Sequence, residues 1–159
     1  MGFFDIFKRK KEYETKQVSR DDLRNKFKVL GFNTGWGYLD ICADKLYKSP
    51  TPATLERLIK ECHSDSYKYV TASRDCDDFA RIFLGWLSQQ AKGDYAIGWV
   101  RGWLVYEGKE EVYHKMCWAM STEGLYFFEP QNDQYMWRHK EDEISWPNII
   151  DFKPHVLGI

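Results

Sequence analysis

The 159-residue chain has no paired-cysteine motif, no long apolar run and almost no surplus charge. Lys and Arg total 23 against 24 Asp and Glu, a net charge of −1, so no global field draws it to nucleic acid. No apolar stretch approaches the roughly 18–20 residues that span a bilayer. The longest candidate, Ile97–Tyr106, is interrupted by Arg101. The segment Met1-Gly2-Phe3-Phe4-Asp5-Ile6-Phe7 is followed by Lys8-Arg9-Lys10-Lys11 instead of being preceded by it, which is the reverse of a signal peptide. Ile6 stands where a myristoylation motif needs Ser or Thr. The expectation is a soluble, cytoplasmic chain. The four cysteines, Cys42, Cys62, Cys76 and Cys117, form no C-x-x-C pair, so reduced thiols are expected. A zinc site using His114 and Cys117 is disfavoured because those positions point to opposite faces of a strand. What the chain does have is aromatic bulk, with 10 Phe, 7 Trp and 10 Tyr in a 43% hydrophobic sequence. That supplies one core at a length suited to one domain.

Residues 1–16 read as a basic amphipathic arm carrying Phe3, Phe4 and Phe7, and residues 17–159 as a single domain. Ser19 followed by Asp22 marks a helix start running to about Phe27. Leu39, Cys42, Ala43 and Leu46 predict a helix over Tyr38–Tyr47. Pro52 suits the first turn of a further helix bearing Leu55, Leu58, Ile59 and Cys62. Phe79, Ile82, Phe83, Trp86 and Leu87 predict a central helix from Asp75 to about Ala91. After Gly93 the texture changes. Tyr95–Tyr106, Val112–Ser121 and Leu125–Glu129 read as an antiparallel meander, with edge strands at Tyr135–His139 and Ile144–Trp146. Helices first and strands second predict an α+β fold, with the central Cys-bearing helix packed on an antiparallel sheet.

Chemistry concentrates at Arg74-Asp75-Cys76-Asp77-Asp78. Cys76 falls in the first turn of the central helix, where the dipole favours a thiolate. Read blandly, Asp75 is an N-cap, Asp77 and Asp78 are first-turn carboxylates and Cys76 is a small buried residue. Three carboxylates around one thiol raise its pKa, so a reactive Cys76 needs a neutralising partner, either Arg74 or a hard cation such as calcium on Asp77 and Asp78. A cysteine nucleophile also needs a base and a group to orient it. His114, in a predicted strand, and Glu129, at the end of the next, supply both. A two-residue loop at Thr122-Glu123 makes Glu129 a diagonal neighbour of His114, whereas an odd loop puts it on the other face. His63, His139 and His155 compete with His114, but His139 and His155 follow the acid in sequence.

Helix-borne Cys, strand-borne His and a strand-end acid is an order that resembles the papain-like and transglutaminase-like cysteine enzymes. Asp75-Cys76-Asp77-Asp78-Phe79-Ala80, then His114, then Glu129-Pro130-Gln131 looks most like the C-terminal protease domain of mushroom agglutinins and its bacterial or phage relatives. The resemblance covers roughly residues 35–133. It implies a papain-like fold and a Cys76–His114–Glu129 triad, with calcium held by residues that include Asp77, Asp78 and Gln131. It departs from the pattern at Lys115-Met116-Cys117-Trp118, where many relatives carry a small residue, an aromatic and Asn.

Two readings follow. In the first, the chain is a thiol hydrolase or transamidase acting on a peptide or protein substrate. Cys76 attacks the carbonyl, His114 serves as base and then acid, and Glu129 orients the imidazole. In the second, it is a non-catalytic binding or structural module associated with phage or virion. There Trp99, Trp103, Trp118 and Trp137 line a groove, although aromatic residues in strands are more often core. Oligomeric state and substrate are not readable from the chain.

Overall fold

The structure, a computed structural model, describes residues 14–32, 39–40, 45–70, 75–90, 95–133, 135–140, 144 and 146–158. Its first element is a strand, β1 (Thr15–Ser19). Ser19 ends that strand and caps α1 (Arg20–Val29), its side chain accepting the Asp22 backbone N–H at 3.1 Å. Asp21 and Asp22 sit in the first turn of α1 and Lys26 and Lys28 in the last, all matched to the helix dipole. Two strands follow, β2 (Leu39–Asp40) and β3 (Leu46–Pro50). Thr51 then caps α2 (Pro52–Cys62), with Pro52 opening it where no N–H is needed. A 3-10 turn at Ser64–Ser66 and α3 (Cys76–Gln90) complete the helical part.

The remaining strands are β4 (Ile97–Tyr106), β5 (Val112–Ser121), β6 (Gly124–Phe128), β7 (Met136–Arg138) and β8 (Ile149–Gly158). They join β2 in a six-stranded sheet ordered β2-β8-β4-β5-β6-β7, in which only β2–β8 is parallel. β1 and β3 form a separate two-stranded sheet, in register from Thr15↔Pro50 to Ser19↔Leu46. One face of the large sheet buries Val100, Met116, Trp118 and Phe127 against Leu23 and Phe27 of α1. The other buries Ile97, Cys117, Ala119 and Phe128 against Leu55 and Leu58 of α2 and Phe83 and Leu87 of α3. The two-fold alternation of β4 and β5 produces this division.

The expected papain-like arrangement, with N-terminal helices, is corrected. Among the described residues eight strands stand against three α-helices, and the architecture is mostly β. The segment expected as a Tyr38–Tyr47 helix contains β2 and the start of β3. Leu46, counted there as part of an apolar stripe, is exposed, while Tyr47 and Ser49 alternate inward and pair with β1. Cross-strand pairing thus overrides a chance helical spacing. Among the described residues no strand is formed at Ile144 or Trp146; β8 lies further along and occupies an interior position between β2 and β4. Pro154 is tolerated within β8 because it faces Gly102 at a register shift in the ladder. A Cβ at Gly102 would collide with the Lys153 carbonyl oxygen and the Phe152 ring, so glycine permits this approach. Of the proposed 1–16 arm, residues 1–13 lie outside the described residues, and Thr15 and Lys16 belong to β1.

A thiol, imidazole and carboxylate at one end of the central helix

Cys76 is the first residue of α3, and the helix start around it is held by carboxylates. The Asp75 side chain accepts the Asp77 backbone N–H at 3.2 Å, and the Asp78 side chain accepts the Asp75 N–H at 3.3 Å. This reciprocal arrangement satisfies donors at the helix start. Arg81, one turn on, pairs with Asp77 at 2.8 Å and Asp78 at 3.3 Å. Within the chain's own residues, then, Arg81 neutralises the acids; Arg74 lies outside the described residues.

His114 comes from β5. The β5–β6 turn has two residues, since Ser121 pairs with Gly124, and the ladder ends at Cys117↔Phe128. Beyond that point Glu129 leaves the sheet in a turn held by three bonds. Its N–H donates to the Tyr135 carbonyl at 2.9 Å, its carbonyl accepts from Asn132 at 3.1 Å, and the buried Ser64 hydroxyl donates to the Pro130 carbonyl at 2.5 Å. Glu129, 2% exposed, therefore turns toward His114, with Nε2 and Oε2 2.5 Å apart. Its second oxygen accepts the Gln131 backbone N–H at 2.9 Å. Trp146 meets the imidazole edge-on at 5.5 Å, and Tyr135 stacks on Trp146 at 5.0 Å.

Cys76 closes the group by hydrogen bonding to His114, and the Lys115 backbone N–H also donates to the sulfur. Burial opposes charge on the imidazole, but the hydrogen bonds and negative charges of Cys76 and Glu129 prevail and raise His114 to about 9. Burial likewise opposes a thiolate at Cys76, yet the bond and charge of His114 and the Lys115 N–H outweigh it and lower the thiol. The arrangement favours a thiolate–imidazolium pair with the cation held by a carboxylate, and such a sulfur can add to an electrophile. The other described thiols differ: burial raises both Cys62 and Cys117, the latter well above 9.0.

The structure thus brings Cys76, His114 and Glu129 together. Asp75, Asp77 and Asp78 offer ligand atoms within 4.8 Å of one another, while Gln131 enters the centre through its backbone N–H on Glu129. Their oxygens suit a hard cation chemically, but a cation there has to displace Arg81. Ser64, Trp146 and the Lys115 N–H escaped the sequence reading. Ser64 and Trp146 act across long chain separations, and a backbone donor leaves no residue signature. Of the tryptophans expected to line a groove, Trp118 and Trp137 are buried, Trp99 is half-buried and Trp103 is exposed.

No family model and no curated protein matches the chain. Solved structures that resemble it include PSL1a in complex with E64, at TM-score 0.63 and 19% identity over 90% of this chain and 50% of that one. Another is the lectin of Polyporus squamosus bound to the human-type influenza-binding epitope Neu5Aca2-6Galb1-4GlcNAc, at TM-score 0.61 and 19% identity over 90% and 49%. The chain spans about half the length of these structures. The second of these is a lectin by name, and on that finding the resemblance to papain-like proteases is corrected. The expectations of a hydrolase and of a thiol protease are corrected on the same finding. No helix among the described residues is long and apolar enough to cross a membrane.

Proposed function

We propose that this chain is a ligand-binding module that performs no turnover, that its ligand is a carbohydrate, and that Cys76, His114 and Glu129 form the polar centre against which the ligand rests. The observation that carries the reading is a fixed, charged centre, with half-buried Cys76 beside a part-buried acid–imidazole bond, in a fold shared with about half of a lectin chain bound to a saccharide. Such a centre offers a thiolate acceptor without reorganisation, the imidazole N–H groups being taken up by Cys76 and Glu129, and this favours recognition of hydroxyl groups. Calcium at Asp77 and Asp78 is a separate proposal, tested by whether calcium raises the melting temperature after chelation.

A glycan array probed with the full chain and with His114→Ala tests the reading. Binding to a defined set of glycans, weakened about tenfold or more in the variant, is the expected result. No glycan bound overturns the carbohydrate assignment. Release of product from peptide or ester probes, abolished by Cys76→Ala, overturns the absence of turnover.

A further inference from the structure

The sheet face that carries α3 continues past the helix. On β4, Trp99, Arg101 and Trp103 share this face with Ile97, and on β5, Tyr113 and Lys115 share it with Cys117. The register sets Trp103 opposite Tyr113 and Arg101 opposite Lys115. Trp103 and Tyr113 are 41% and 43% exposed, with ring centroids 4.7 Å apart. His155 of β8 extends the group, its Nδ1 3.3 Å from the Tyr113 hydroxyl. Toward α3 the strip turns cationic, with Lys115 4.9 Å and Arg101 5.6 Å from the Trp99 ring.

The cation pair is the unusual feature. Like charges directly opposite each other on neighbouring strands destabilise a sheet. Lys115 is 7% exposed, and among the described residues neither it nor Arg101 has an ion-pair partner. Asp77 acts on both from a distance, but its carboxylate is already bonded to Arg81. An arriving anion would relieve this repulsion. Next to it, solvated aromatic faces suit the apolar face of a sugar ring.

We propose that this strip is the seat of an acidic saccharide, with one ring stacked on Trp103 and Tyr113 and a carboxylate held by Arg101 and Lys115. The proposal rests on the carbohydrate-binding reading and deepens it by naming the ligand's charge and its place. The strip runs to the N-terminal end of α3, where the Lys115 backbone bonds Cys76.

Calorimetric titration of the full chain with tetragalacturonate, its methyl ester and an acidic peptide tests the proposal. The expected result is that the acid binds about tenfold or more tighter than the ester at low salt. Trp103→Ala weakens both saccharides about fivefold or more, and Arg101→Gln weakens the acid alone. Arg101 is chosen because Lys115 is buried, and melting curves confirm that both variants fold. Equal affinity for acid and ester overturns the proposal. So does an acidic peptide bound more tightly with the same dependence on both residues. Saccharide binding that both variants leave unchanged overturns the strip and leaves the carbohydrate reading standing. If the wild-type chain binds no saccharide at all, on the array or in titration, that broader reading fails.

Discussion

The two ends of the α3-bearing sheet face share strands and alternation yet differ in what they meet. At one end Ile97, Cys117 and Ala119 lie under Phe83 and Leu87 and are sealed from water. At the other, Trp103 and Tyr113 remain open, and two cations face each other with no ion-pair partner among the described residues. Cys76 stands at the border. Cys117 and Cys76 are the same chemical group, and their thiols shift in opposite directions. Position relative to the helix start and to His114, not residue type, decides whether sulfur is inert or charged.

The largest test of this contrast falls on the sealed end. Phe83→Ala removes a fully buried ring that meets Phe128 at 5.0 Å, and should cost about 3–5 kcal/mol in chemical denaturation. Gly102→Ala forces a Cβ into the β8 backbone and should cost about 1–3 kcal/mol by the same measurement. Trp103→Ala at the open end should change stability by no more than about 0.5 kcal/mol, however strongly it weakens binding. A large loss there would show that the open end is core and erase the contrast.

Acidity sharpens the comparison further. His114 is raised from 6.5 to about 9, so its stabilising contribution is complete below pH 6.5 and disappears as pH rises through about 9. Cys76 is lowered, so its contribution is complete above 9.0 and fades as pH falls through the lowered value. Iodoacetamide labelling followed by mass spectrometry should therefore show Cys76 half-maximal below pH 9.0 and Cys62 half-maximal above it. In His114→Ala the Cys76 rate at neutral pH should drop about tenfold or more.

Much of the site was legible in the residues themselves. A capping Asp before an apolar helical stripe places Cys76 at the start of α3, and a Thr-Glu-Gly turn sets the β5–β6 register that carries Glu129 toward His114. Three carboxylates around one thiol call for a neutralising partner, and Arg81, an ordinary helix residue one turn away, pairs with two of them without any sequence signature that marks it. The sheet was less legible. β3 pairs with β1 across 26 intervening residues, and an alternating pattern of one exposed Leu and one buried Ser imitates a helix when that partner is unknown. β8 carries Asp151, Lys153 and Pro154, which mask its strand pattern, and it is held in place by β4 on one side and β2 on the other.

The place of β8 bears on when the molecule can fold. Residues 149–158 fill an inner slot of the sheet, flanked by strands translated long before them. Until that stretch has emerged from the ribosome, β4 keeps one bare edge, Trp118 lacks the Gly158 carbonyl that accepts its indole N–H, and the nascent polypeptide exposes a template for wrong pairing. Completion of the sheet thus waits on β8, and until it arrives the unpaired edge of β4 is open to wrong pairing.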